Sequence, residues 1–221
     1  MPASEERALL RAEIELAVES LAAAGVASPR PDAMALAAHV LGVERLTLAV
    51  APPVPADFAD RYRTLVARRA AREPLQHLLG YAWFRHVRVQ VGRGVFIPRP
   101  ETETVAGAAI DEARRIADRA PLVVDLCTGT GAIAAAVADE VPSARVIAID
   151  VDPAAVALAR TNLLPAGERA RVEQADVARP QLLAELKLAG SVDVVVSNPP
   201  YIPPDGIPVD REVRERLLNA V

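Results

Sequence analysis

Cysteine is almost missing from this chain of 221 residues, which contains only Cys127. A disulfide within the chain and a multi-cysteine metal centre are therefore excluded. The usage suits a reducing compartment, and a cytoplasmic location is expected. Aromatic residues make up only 3%, so Ala, Val and Leu must fill the core of a chain that is 52% hydrophobic. Lysine occurs once, at Lys187, and the other cations are arginines, which is read as a compositional bias. His39, His77 and His86 are scattered without the spacing that metal ligands need. No apolar run approaches the ~20 residues of a membrane span. The acidic start, Met1-Pro2-Ala3-Ser4-Glu5-Glu6, does not read as a signal peptide.

Charge is distributed unevenly. Residues 1–100 carry 13 Arg and 10 acids, net +3, whereas residues 101–221 carry 12 basic and 19 acidic side chains, net -7. Two parts with different surfaces are expected, and the acidic second part is a poor general binder of nucleic acid. Nine arginines and one acid lie between Arg61 and Arg99. They read as solvated faces rather than as a docking patch for RNA or an acidic partner.

Hydrophobic periodicity predicts a small bundle over residues 1–75, with helices at about 4–24, from Pro31, and around Phe58, Tyr62 and Leu65. Residues 76–100 read as a β-hairpin linker. Its strands would run through Phe84, Val87, Val89 and Val91 and then Val95-Phe96-Ile97, around a Gly92-Arg93-Gly94 turn. Residues 101–221 alternate strand and helix: strands at 122–126, 146–150, 171–174 and 192–197, helices at 132–140, 153–163 and 180–188. Such alternation predicts an α/β, Rossmann-like domain with a parallel sheet and right-handed crossovers.

The chemistry collects where these strands end. Cys127, Thr128, Gly129, Thr130 and Gly131 follow the first strand, and the glycines let backbone approach a ligand. Ala134 stands where a dinucleotide fingerprint would have its third glycine. Asp150 ends the second strand and suits paired ribose hydroxyls, while Asp152, just before Pro153, reads as a helix N-cap. Asp176 follows the third strand, within reach of an adenine amino group. An adenosine-bearing ligand is expected along this edge, either a nicotinamide dinucleotide or S-adenosylmethionine. The fourth strand separates the two. It ends in Asn198-Pro199-Pro200-Tyr201, which looks like the signature of methyltransferases acting on planar amino or amide nitrogens. Such a nitrogen shares its lone pair with a π-system and is a poor nucleophile. The Asn198 side-chain oxygen and the Pro199 carbonyl can accept its two N–H bonds, proline adds no competing donor, and Tyr201 can stack on the planar group.

Three blocks extend the likeness. Residues 73–84 (Glu-Pro-Leu-Gln-His-Leu-Leu-Gly-Tyr-Ala-Trp-Phe), residues 97–103 (Ile-Pro-Arg-Pro-Glu-Thr-Glu) and the two strand-end motifs closely resemble the HemK-type protein-(glutamine) methyltransferases, over about residues 5–205. The resemblance implies a helical substrate-recognition domain, a hairpin linker and a class I methyltransferase domain. It implies that S-adenosylmethionine contacts Cys127, Thr128, Gly129, Thr130, Gly131, Asp150, Asp176, Val177 and Asn198. It also implies that Asn198, Pro199, Pro200 and Tyr201 hold the glutamine of a Gly-Gly-Gln tip on a peptide chain release factor, with Asn198, Pro199 and Tyr201 catalytic. Cys127 stands where many relatives have glycine, and Val177 where many have an aromatic. Only four of the family's seven strands are readable, so a truncated sheet is expected. Its Val-rich fourth strand would be an exposed edge open to self-association. The alternatives are an adenine amino-methyltransferase on DNA or RNA, disfavoured by the acidic second part, and an inactive truncated protein that only binds.

Overall fold

The computed structural model describes residues 3–116 and 118–200. It divides into two compact units between Leu79 and Gly80.

The first unit contains helices α1 (Ala3–Ala23), α2 (Pro29–Val40), α3 (Phe58–Ala70) and α4 (Leu75–Leu79). Leu10, Ile14, Ala17 and Leu21 recur every three or four residues along α1 and so share one buried face. They pack with Leu36 and Ala37 of α2 and Phe58, Tyr62 and Val66 of α3. Phe58 and Tyr62 stack with ring centroids 5.2 Å apart. The buried Tyr62 hydroxyl donates to the Ala33 carbonyl at 3.0 Å, which keeps a phenol in the core satisfied.

The arginine run corrects the sequence expectation at one point. Arg69 is only 5% exposed. Its Nε donates to Asp32 Oδ2 at 2.7 Å and its Nη1 to the Glu73 carbonyl at 3.0 Å. Asp32 lies buried in the first turn of α2, so its carboxylate needs this cation. Arg63, by contrast, keeps much of its side chain in solvent while pairing with the buried Glu13.

The second unit begins with strands β1 (Tyr81–Phe84) and β2 (Val87–Gln90), paired antiparallel. The glycines at 92 and 94 do not form the hairpin turn that the sequence suggests. Phe84 pairs with Val87, so Arg85 and His86 make the turn, and Arg85 takes φ 50. A non-glycine residue there costs roughly 1–2 kcal/mol. Tertiary bonds offset that cost: Arg85 N donates to Glu103 Oε1 at 3.1 Å, Nε to Glu140 Oε1 at 2.5 Å and Nη2 to Glu140 Oε2 at 3.0 Å. Ala82, Phe84, Val89, Val91 and Ile97 enter the core of this unit, so the hairpin is packed into the α/β layer structure.

Helix α5 (Thr102–Arg114) precedes a βα series: β3 (Leu122–Leu126), α6 (Ala132–Glu140), β4 (Arg145–Asp150), α7 (Pro153–Leu163), β5 (Ala170–Gln174), α8 (Leu182–Glu185) and β6 (Val194–Ser197). The four strands are parallel in the order β5-β4-β3-β6. Every residue from Ala132 to Ala138 is buried, and these small side chains let α6 lie close in a core with few rings. Asp152 caps α7 as its position predicts, Oδ1 accepting from Ala154 N at 2.9 Å. The helix expected over 180–188 is shorter, bounded by Pro180 before it and by Lys187 at φ 57 after it. Among the described residues β6 pairs with β3 alone, and Val195 is 56% exposed.

Strand order decides where a site can form. The chain runs outward from β3 to β4 to β5, then returns to place β6 on the other side of β3. Between β3 and β6 the connections therefore diverge, and it is at such a point that open α/β sheets form a ligand-binding crevice beyond the carboxyl ends of the strands.

Candidate functional site

Two predicted motifs flank that crevice. Residues 127–131 leave β3 and Asn198 leaves β6, and the register pairs Leu126 with Ser197, so the two turns start side by side. The Ser197 hydroxyl donates to the Leu126 carbonyl at 3.0 Å, tying one strand end to the other. Asp150 ends β4, whose Ile149 is level with Leu126. Its main-chain carbonyl accepts from Ala175 N at 2.9 Å, bringing in the turn after β5.

The two glycines of the loop have different jobs. Gly131 takes φ +79, and a Cβ there would stand 3.1 Å from both Cα and Cβ of Ala159, so its missing side chain lets α7 pack closely. Gly129 takes φ +57, and a Cβ there would meet nothing within 4 Å among the described residues, so the space beside it is open. Cys127 also lies in the left-handed region, at φ 56, where an L side chain is strained. Burial, then the nearby Asp150 charge, push its thiol pKa up, the reverse of what an activated nucleophile needs.

Asp150 braces the loop as well as facing the site. Oδ2 accepts from Gly129 N at 2.8 Å and Oδ1 from Asp152 N at 3.0 Å. A carboxylate has about four acceptor positions, so capacity for two hydroxyls remains. Asp176 is exposed and accepts from Ala178 N at 2.9 Å, an arrangement that shapes its own turn. Val177 is partly exposed beside it. Asn198 is half-buried, and its Nδ2 donates to Thr102 Oγ1 at 3.2 Å. Pro199 and Pro200 are exposed. Tyr201 lies outside the described residues.

Three residues outside the expected site set also shape the site, Asp125 and Thr102 from within the motif blocks and Asn162 from outside them. Asp125, one residue inside the end of β3, is completely buried. Its Oδ2 accepts from Thr128 Oγ1 at 2.5 Å and Ala134 N at 3.2 Å, while Oδ1 has no hydrogen-bond partner among the described residues. Burial pushes its pKa up to about 7 despite those two bonds. A carboxyl inside an otherwise apolar strand was the sequence signal. The second is Asn162 of α7, whose amide spans β2 and the glycine loop. The third is Thr102, the partner of Asn198. Thr102 belongs to the 97–103 block, but neither its pairing nor that of Asn162 is legible locally, because both act across long separations.

This edge offers open backbone and hydrogen-bond acceptors at the carboxyl ends of the strands, where ligands bind in open α/β sheets. Gly129 with open space beside it and the unused acceptor capacity on Asp150 stand at the carboxyl ends of β3 and β4, whereas Asp125 is buried beneath the loop. Among the described residues no group of acids, histidines or Cys127 could hold a metal ion, and no helix is long and apolar enough to cross a membrane.

Comparison with known proteins agrees in both units. Residues 14–80 match the family described as "PrmC N-terminal domain", and residues 112–220 the "Methyltransferase small domain". A "Release factor glutamine methyltransferase" of Streptomyces coelicolor is 52% identical over 195 residues, covering 88% of this chain and 66% of that protein. One of the same name from Mycolicibacterium smegmatis is 51% identical over 206 residues, 93% of this chain and 70% of that protein. A "4-amino-L-phenylalanine/4-methylamino-L-phenylalanine methyltransferase" of Streptomyces pristinaespiralis is 41% identical over 86% of this chain and 64% of its own length. The chain thus spans about two thirds of the length of these relatives.

Proposed function

The chain belongs to the release factor glutamine methyltransferase family, and from that membership we propose that it methylates the side-chain amide of the glutamine in the Gly-Gly-Gln motif of peptide chain release factors, using S-adenosylmethionine. The observation that carries the reading is the placement of Asn198 beside the 127–131 loop across the β3–β6 crevice.

When bound, the cofactor supplies an electrophilic methyl group on a sulfonium sulfur. Gly129 backbone, Asp150 and the Asp176–Val177 turn hold it, with Asp150 taking the ribose hydroxyls. The Asn198 Oδ1 and the Pro199 carbonyl accept the two N–H bonds of the substrate amide. That grip orients the nitrogen and stabilises the positive charge it gains as the N–CH₃ bond forms and the S–CH₃ bond breaks, its electron pair staying on sulfur to leave S-adenosylhomocysteine. The nitrogen then sheds one proton to solvent, and the amide is restored with one methyl in place of one hydrogen. No strong base is required. Tyr201 stacks on the amide plane in this reading, and the helical unit recognises the body of the release factor. Self-association along the side of β6 that no described strand covers belongs to the same reading, because a Val-rich edge is a template for pairing.

The test is transfer of a labelled methyl group to intact release factor and to one whose Gly-Gly-Gln glutamine is replaced. Label is expected in the first only. Equal labelling of both would sink the glutamine assignment. Labelling of nucleic acid but not protein would favour the adenine alternative. Preferred labelling of 4-amino-L-phenylalanine, the substrate in the name of the Streptomyces pristinaespiralis relative, would move the reading to aromatic amines.

A further inference from the structure

The Asn198 side chain has two chemically opposite ends, and only one suits the substrate. An amide nitrogen with two N–H bonds needs acceptors, so Oδ1 must face it and Nδ2 must face away. Nothing in Asn198 itself makes that choice, because the two orientations have nearly the same shape. In this structure Nδ2 is engaged by Thr102 Oγ1 at 3.2 Å, 96 residues away in sequence. We propose that Thr102 is a positioning residue that, by accepting from Nδ2, holds the Asn198 amide and leaves its oxygen available to the substrate; the inference rests on the reading of Asn198 given above.

The hydroxyl is delivered by a rigid element. Thr102 is the first residue of α5, whose Ala106, Ala109, Ile110 and Ala113 are buried and which packs against β6 itself. Thr102 N donates to the Arg99 carbonyl at 3.0 Å, closing the turn that contains Pro100. The next residue, Glu103, is held by Arg85 N at 3.1 Å. These bonds give the Pro-Arg-Pro-Glu-Thr-Glu block a physical role: it sets the start of α5 so that one hydroxyl meets one amide. If the hydroxyl donated to Oδ1 instead, the site would present N–H groups to a substrate that already carries two.

The experiment compares Thr102→Val, which keeps the shape and removes the hydroxyl, with Thr102→Ser, which restores it, in this chain. Two readouts are used: methyl transfer to release factor, and calorimetric binding of a Gly-Gly-Gln peptide in the presence of S-adenosylhomocysteine. Loss of one neutral hydrogen bond predicts roughly a tenfold fall in kcat and in peptide affinity for Thr102→Val. S-adenosylhomocysteine affinity should stay unchanged, and Thr102→Ser should lie within about threefold of the parent. Adding Thr102→Val to Asn198→Ala should cost nothing further, since the hydroxyl acts only through that amide. The proposal is overturned if Thr102→Val matches the parent in both readouts, or if its loss adds fully to that of Asn198→Ala. Unchanged turnover or peptide affinity in Asn198→Ala would instead reject the assigned role of Asn198, a separate failure. Reduced S-adenosylhomocysteine affinity in Thr102→Val and Thr102→Ser alike would reveal a structural role and also overturn it.

Discussion

The side-chain amide of Asn162 pairs with both main-chain groups of Gln90. Oδ1 accepts from Gln90 N at 2.7 Å and Nδ2 donates to Gln90 O at 3.0 Å. The same Nδ2 donates to the Thr130 carbonyl at 2.8 Å. One side chain on α7 therefore joins the hairpin to the glycine loop. Asn162→Ala should destabilise the fold by about 1–3 kcal/mol by leaving partners unmade, and should weaken cofactor binding. Asn162→Asp should be worse, because a carboxylate would face two carbonyl oxygens. Denaturant midpoints and cofactor calorimetry measure both effects; an Asp variant as stable as the parent would contradict this account.

Substitutions at the two loop glycines should separate stability from affinity. Gly131→Ala meets Ala159 backbone at 3.1 Å and also strains φ, so a loss of about 2 kcal/mol or more in stability is expected. Gly129→Ala carries only the strain of its positive φ, roughly 1–2 kcal/mol, but places a methyl in the open space. Its larger effect should appear in the cofactor Kd. Thermal melts with and without S-adenosylhomocysteine should show this crossed pattern.

Asp150 and Asn198 should fail differently. Asp150→Ala removes the acceptor for Gly129 N and the acceptor capacity assigned to ribose. A cofactor Kd raised by tenfold or more is expected, with kcat at saturating cofactor changed far less. Asn198→Ala should lower kcat and leave cofactor affinity nearly intact. Equal damage to cofactor affinity in both variants would remove this division of roles.

Two carboxyls give the ligand-free protein opposite pH dependences in separate windows. The folded Asp125 pKa is raised from 3.8 to about 7, so between those values the folded state holds a proton that the unfolded state releases. Its contribution to stability is full below about 3.8 and falls as pH rises toward 7, by up to roughly 1.4 kcal/mol per pH unit. The Asp193 pKa is lowered from 3.8 to about 2, first by its bond from Arg119 and then by Leu122 N. Its contribution is full above 3.8 and is lost as pH falls toward 2. Asp125→Asn should flatten the slope between pH 4 and 7 and leave the acid limb unchanged, as read from denaturant unfolding across pH.

The buried pair in the helical unit allows a test free of catalysis. Arg69→Met leaves Asp32 unpaired in the core and should cost about 3–5 kcal/mol. Combining it with Asp32→Leu should recover much of that loss, because the desolvation penalty disappears with the second charge. A double variant as unstable as Arg69→Met would show that packing, not charge burial, dominates there.

Local chemistry decided a large part of this protein in the sequence alone. The runs at 122–126 and 194–197 are rich in β-branched residues, which marks both as strands of a parallel sheet, although only β3 is buried along most of its length. Asp152 before Pro153 marks a helix start whatever the fold around it. Gly129, Gly131 and the Asn-Pro-Pro run stand out because unusual backbone needs unusual residues. Tertiary structure decided the rest. The hairpin turns at Arg85 rather than at the nearby glycines because Glu103 and Glu140 reward a strained arginine with bonds from distant chain. Arg69 leaves the solvated face assigned to it because Asp32, 37 residues away, is buried beside it. The return of β6 to the free side of β3 then sets Asn198 next to the glycine loop and under the Thr102 hydroxyl. Residue type and spacing determine which groups are available; chain crossing determines which of them meet, because partners separated by 37 to 96 residues leave no local periodicity to read.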